Sequence, residues 1–247
     1  IVCGLDVGTS SIRAVLAQYK KGEYTPSILA TAHVASAGLR DGYIVDPGKV
    51  ERGIRIALET LEKQSGQKIR HVGIAAGGAG LASHIVHGMV VVTRADMEVT
   101  HLDVSKVLKE ARGTAQTPNE KIIHTIPLSF KLDGKEVLGD PVGLVGTKLE
   151  VRALVVSIHA LHIERLIEAV GGLGVEISSI VASPLSASIV CLSEKQKVAG
   201  CALVNIGSET VTTGIFENGA MISLFSIPLG SLDITNDIAL GLKVPID

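Results

Sequence analysis

Asp6 closes an apolar run, Ile1-Val2-Cys3-Gly4-Leu5, and is followed by Val7-Gly8-Thr9-Ser10-Ser11 and a second apolar run from Ile12 to Leu16. The pattern predicts a buried strand, a tight turn rich in hydroxyls and a returning strand. Gly8 lets backbone approach a ligand closely, and the amides and hydroxyls of Thr9, Ser10 and Ser11 can converge on one space, as a phosphate cradle requires. Asp6, at the strand end, is placed to hold a hydrated cation beside that phosphate. Taken alone, the same residues equally describe an ordinary hairpin with a small-residue turn.

The plan recurs far along the chain. Cys201-Ala202-Leu203-Val204-Asn205-Ile206-Gly207-Ser208-Glu209-Thr210-Val211-Thr212 repeats the apolar run, polar residue, glycine, hydroxyl turn and returning strand. Asn205 falls where Asp6 falls, and Gly207 where Gly8 falls. Each hairpin leads into a polar turn (20–23 and 217–219), a third strand (27–34 and 221–227) and a helix. Two such turns facing each other would grip a polyphosphate from both sides, with Ser208, Glu209 and Thr210 in the second turn.

The elements that position these turns are legible too. Asp46-Pro47 starts a helix whose apolar face is Val50, Ile54, Ala57, Leu58 and Leu61, and Gly66 stops it. Residues 69–75 form a buried strand ending in Gly77-Gly78-Ala79-Gly80, whose glycines have the wrong spacing for a dinucleotide loop and mark a close-packed crossover. Over 89–155 the character changes to short strands, one helix near Val104-Val107-Leu108-Ala111, and an Asp133-Gly134 turn, as in a small α+β insertion. The main fold is expected to resume at 151–156. A helix from residue 158 is expected to bury Ala160, Ile163, Ile167 and Val170, leaving His159 and His162 solvated. Ser183-Pro184 opens a helix linking the halves, and Ser231 is the expected cap of a last helix bearing Ile234, Ile238 and Leu242. The resulting fold class is α/β, with a first subdomain over 1–88 and 156–195, the insertion over 89–155, and a second, incomplete subdomain over 196–247.

The chain has 247 residues, is 46% hydrophobic but only 2% aromatic, and carries a formal charge of −2. An aliphatic core of this kind suits sheets flanked by helices. Without a basic block, nucleic acid is not an expected partner. Cys3, Cys191 and Cys201 lack metal or redox spacing and read as reduced core residues. No apolar run has the length of a membrane span, and no signal peptide is recognisable. The chain opens without Met on a core strand, so further sequence is expected at its ends.

With these residues in view, the chain resembles the FtsA family of actin-like bacterial cell-division proteins. The resemblance is carried by Gly4-Leu5-Asp6-Val7-Gly8-Thr9-Ser10, Gly38-Leu39-Arg40-Asp41-Gly42, Asp140-Pro141-Val142-Gly143, Lys148-Leu149-Glu150-Val151, Ile227-Pro228-Leu229-Gly230 and Ile234-Thr235-Asn236-Asp237-Ile238-Ala239, in the family's order. It implies an actin-like (ribonuclease H-like, duplicated) ATPase fold, with the insertion as the family's distinctive subdomain. It also implies ATP with Mg as ligand, self-association into filaments, and a cytoplasmic location at the inner face of the cell membrane. The family's contacts with FtsZ and the membrane lie beyond residue 247.

Against the family pattern, Ser11 stands in place of Lys, Ser183 in place of a Glu before Pro, and Asn205, Ser208, Glu209 and Thr212 in place of Asp, Gly, Gly and Asp. Asp6 and Gly8 remain. Glu209 puts a carboxylate into a phosphate-binding turn, where like charges about 4 Å apart repel by roughly 4 kcal/mol at an effective dielectric near 20; alternatively, it points to solvent at little cost. A degenerate nucleotide site and poor ATP hydrolysis are therefore expected, with no catalytic residue assigned. Two other readings stay open: a PilM-like assembly protein of type IV pilus machinery, and a sugar-kinase-like phosphotransferase. The loss of carboxylates at 183, 205 and 212 argues against the last.

Overall fold

The computed structural model describes residues 1–20, 22 and 25–246. Lys21 and Glu23 of the expected 20–23 turn lie outside the described residues, as does Asp247. In chain order the elements are β1 (Val2–Val7), β2 (Ser11–Gln18), β3 (Ser27–Ala35), β4 (Leu39–Arg40), β5 (Tyr43–Ile44), α1 (Pro47–Ser65), β6 (His71–Ala76), β7 (Ala82–Val91), α2 (His101–Thr114), β8 (Glu120–Leu132), β9 (Lys135–Val137), β10 (Lys148–His159), α3 (Ala160–Gly171), β11 (Glu176–Ala182), α4 (Ser183–Cys191), α5 (Glu194–Ala199), β12 (Cys201–Ile206), β13 (Val211–Glu217), β14 (Ala220–Ile227) and α6 (Ser231–Leu242).

The first lobe is a sheet of order β11-β6-β1-β2-β3. Strand β1 pairs antiparallel with β2 and parallel with β6, so it is central. Helix α1 packs on β2 and β3 of this sheet because Val50, Ile54, Ala57, Leu58 and Leu61 recur at helical spacing and are all buried. Each of the four larger side chains, Val50, Ile54, Leu58 and Leu61, contributes about 1.5–3 kcal/mol by leaving water. The ends of α1 are set locally: the Lys49 N–H donates to Asp46 Oδ1 at 3.1 Å, and Gly66 takes the left-handed conformation at φ 68°.

The second sheet has the order β12-β13-β14-β7-β10-β8-β9. Its halves meet at the Phe225–Ala82 pairing and at Ser83, whose Oγ accepts the Leu224 N–H and donates to Leu224 O, both at 2.8 Å. Strand β7 pairs with β10 without interruption from Ala82–Ser157 to Val91–Lys148. The expected limits of the insertion, 88/89 and 155/156, fall inside these two strands, which are long rather than short. Strand β10 explains its own continuous apolar run. Leu154, Val156 and Ile158 face the main core, while Val151, Ala153 and Val155 face a separate core beneath α2. It therefore belongs to the insertion sheet and not, as its composition suggests, to the resumed first lobe. Helix α2 comes close to this sheet because Gly88 has no Cβ; one would lie 2.4 Å from Val107 O.

Two local readings are corrected. Helix α3 buries His162, Ile163, Leu166, Ala169 and Val170, so His162 is a core residue, in edge-to-face contact with Tyr43 at 5.7 Å. Its neighbour His159 remains exposed. The N-cap of α6 is Gly230 rather than Ser231, its N–H held by Asp233 Oδ2 at 2.7 Å.

Candidate functional site

The two hairpins are built on one template. In the first, Asp6 pairs with Arg13 and Val7 with Ile12; in the second, Asn205 pairs with Thr212 and Ile206 with Val211. The Gly8 N–H donates to Ser11 O at 3.1 Å, and the Gly207 N–H to Thr210 O at 2.8 Å. A Cβ on either glycine would lie 3.0 Å from that same carbonyl. The correspondence extends outward: the register shift between β2 and β3 falls at Leu16/Ala17, and that between β13 and β14 at Ile215/Phe216, the equivalent step.

Both turns open onto one cleft of about 540 Å³. Asp6, Gly8, Thr9, Ser10 and Ser11 line one side, and Asn205, Gly207, Ser208 and Thr210 the other. Among the described residues, the N–H groups of Thr9, Ser10, Ser208 and Glu209 donate to no protein acceptor. Free amides of this kind, in turns of small residues, suit an anion. Gly77 and Gly78 form part of the wall, as do Ser183 and Ser186 of α4 and Arg13. Sequence reasoning missed Arg13, although its position seven residues after Asp6, on a strand returning from a four-residue turn, places it directly opposite.

Arg13 Nη1 lies 3.9 Å from Asp6 Oδ2. Burial raises the pKa of the Asp6 carboxyl above the usual carboxylate value, and the Arg13 charge opposes that rise. These two are the charged side chains of the cleft wall among the described residues, and their charges cancel. No cluster of three His, Cys, Asp or Glu side chains able to hold a metal exists among the described residues. Asp6 could meet a hydrated cation only as a single carboxylate, with Asn205 facing it where a second acid would complete the pair.

Glu209 departs from its expected place. It does not line the cleft; its Oε2 accepts the N–H of Asp41, 168 residues away, at 2.6 Å. Nothing in the local sequence signals this contact. The repulsion expected from a carboxylate inside the turn therefore does not arise in this geometry.

Two sheets joined by a linking helix, each lobe offering the same hairpin to a shared cleft, define an actin-like fold. Among solved structures the chain is similar to a protein of the "PilM-PilN type IV pilus biogenesis complex" (TM-score 0.70, 16% identity, covering 99% of this chain and 66% of that one). It is also similar to the ethanolamine utilization protein EutJ from Carboxydothermus hydrogenoformans (TM-score 0.55, 17% identity, covering 99% and 57%). The family model "SHS2 domain inserted in FTSA" matches residues 78–157, and "Cell division protein FtsA" matches 202–247. The chain is 31% identical to the cell division protein FtsA of Bacillus subtilis over 242 residues, covering 97% of this chain and 54% of that protein. It is 30% identical to FtsA of Streptococcus pneumoniae over 240 residues, covering 97% and 52%. The chain belongs to the FtsA family, and it spans about half the length of these curated relatives. Among the described residues no helix is long and apolar enough to cross a membrane.

Proposed function

We propose that the protein is an actin-like cell-division scaffold that takes a nucleoside triphosphate between its lobes without turning it over efficiently. The observation that carries this reading is the pair of matched hairpins facing one cleft, in a chain whose relatives are division proteins. The free amides of Thr9, Ser10 and Ser208 would hold phosphates, and Asp6 would orient a Mg ion. Weak hydrolysis follows from the polar but uncharged Ser183, Asn205 and Thr212: none of the three can orient an attacking water as a carboxylate would, or hold the metal as an anion. Polymerisation, docking to FtsZ and attachment to the inner face of the membrane are parts of the same proposal for the complete protein. We take the insertion as 78–157, the residues matched by the model of the inserted domain, and assign it a self-association role.

The experiment is localisation of the complete protein, as a fluorescent fusion, in cells in which FtsZ can be depleted. Midcell bands that vanish with FtsZ are the expected result. Polar foci independent of FtsZ would replace this reading with a pilus-assembly role, for which the likeness of fold to the PilM complex is the supporting observation. Nucleotide occupancy is tested separately, by calorimetric titration with Mg-ATP.

A further inference from the structure

We propose that Glu209 is a latch between the lobes, holding the cleft closed when no ligand is bound. The turn that receives it is a two-residue loop, Asp41-Gly42, joining β4 and β5, with φ 51° at Asp41 and 76° at Gly42. Left-handed conformation at both central residues defines a turn whose first central N–H has no ladder partner. The Asp41 N–H is therefore a donor in need of an acceptor, and Glu209 Oε2 provides a charged one at 2.6 Å.

Each end of this contact is fixed to its own lobe. On the first side, the Ala79 N–H donates to Asp41 O at 3.2 Å. Gly42 lies so near Gly78 that a Cβ on it would be 2.4 Å from the Gly78 Cα. On the second side, the turn carrying Glu209 is pinned to α6: the Ser231 N–H donates to Gly207 O and the Leu232 N–H to Ser208 O, both at 2.8 Å. A Cβ on Gly230 would lie 2.2 Å from Ser208 O, so the two segments are in backbone contact. Two rigid supports are thus bridged by one side chain. Apart from the Ser83–Leu224 junction, it makes the one side-chain hydrogen bond, among the described residues, that joins 201–246 to 1–182.

Gly42 on one support and Ser208 on the other both line the cleft, so any opening that separates the hairpins must stretch this bond first. Glu209 occupies a turn position where a glycine would serve a phosphate equally well. Its carboxylate instead does for the empty cleft what a ligand bridging the turns does for a filled one. This inference rests on the cleft being the moving part of an actin-like body, but not on which ligand it takes.

The test uses the complete protein with Cys191 and Cys201 replaced by serine and spin labels on Lys63→Cys of α1, in the first lobe, and Lys195→Cys of α5, a helix that packs against β13 and β14 of the second lobe. Without ligand, the unaltered latch should give a single narrow label–label distance. Glu209→Ala should give a longer and clearly broader distribution, and Glu209→Gln, which keeps a neutral acceptor, an intermediate one. Amide exchange at Asp41 should accelerate at least tenfold in Glu209→Ala. An unchanged distance distribution in both variants overturns the proposal, even if the Asp41 amide exchanges faster, because the contact would then be only local. Glu209→Gln covers the case in which Glu209→Ala does not fold. Since every arm is measured without nucleotide, a failure of Mg-ATP to bind leaves this test intact.

Discussion

The first and second hairpins share their register, their turn hydrogen bond and even the position of the outer register shift, yet their surroundings differ. Strand β1 has β2 on one side and β6 on the other, and Leu5 is 2% exposed. Strand β12 lies at the edge of its sheet, with Val204 and Ile206 more than half exposed. The backbone template therefore does not depend on burial. Two small-residue turns can be held in one geometry by quite different means: central packing in one lobe, and the N-terminus of α6 in the other. What separates the hairpins chemically is confined to three side chains: Arg13 opposite Asp6, Asn205 in the place of an acid, and Glu209 reaching across.

The largest expected effect comes from truncating one core leucine in the first strand of each hairpin. Leu5→Ala should cost about 3 kcal/mol, the usual range for a fully buried leucine, whereas Leu203→Ala, only partly buried, should cost about 1 kcal/mol. Denaturant unfolding of this chain measures both. Equal costs would mean that β12 is as well packed in solution as β1.

Acid should loosen the lobes unequally. Burial holds the pKa of His162 down to about 4, a hydrogen bond with the Gly77 backbone offsetting only part of that shift. A base whose folded pKa is depressed stabilises the protein fully above its unfolded value near 6.5. That stability is lost as pH falls toward 4, because the unfolded chain then binds the extra proton. The loss approaches about 3 kcal/mol at the lower limit. No histidine occurs in 201–246, so amide protection should fall first around the 77–80 loop and Tyr43. Comparing stability at pH 7 and pH 5 checks the sign, and His162→Asn should flatten the slope.

Gly42→Ala and Gly219→Ala compare two turns of left-handed backbone. The first forces a Cβ onto Gly78 and should cost about 2–3 kcal/mol; the second meets nothing closer than Val198 Cγ2 at 3.8 Å and should cost about 1 kcal/mol of backbone strain. Thermal unfolding ranks them. A reversed ranking would show that the Asp41-Gly42 turn is not seated on the glycine loop.

Local chemistry made much of this legible beforehand. Asp46 and Gly66 bracket α1, Asp133-Gly134 turns β8 into β9, and the recurrence of Asp6-Val7-Gly8 as Asn205-Ile206-Gly207 predicts two equivalent turns, which the cleft brings together. The features that stayed hidden are long-range. A strand such as β10, apolar on both faces, gives no sign in composition of which sheet it joins. His162 is buried because Tyr43, more than a hundred residues earlier, covers it. Glu209 finds its partner through the closure of the whole molecule.

The smallest expected effects are on ligand affinity, and they separate the two second-hairpin substitutions from each other. Asn205→Asp places a carboxylate opposite Asp6, so that a Mg ion would meet two anionic ligands across the cleft instead of one. It should tighten Mg-ATP binding by about tenfold, or ~1.4 kcal/mol, with little change for ATP in the absence of metal. Glu209→Gly is different. If its carboxylate faced the phosphates, removing it would relieve a like-charge repulsion worth more than that tenfold step. With the carboxylate instead bound to the Asp41 N–H, no repulsion exists to relieve, and the loss of an interlobe contact leaves affinity unchanged or slightly lower. Calorimetric titration of Mg-ATP into the parent and both variants reads the difference. A gain from Glu209→Gly that matches or exceeds the gain from Asn205→Asp would put Glu209 back inside the turn, and the contrast between the hairpins would then be one of charge rather than of linkage.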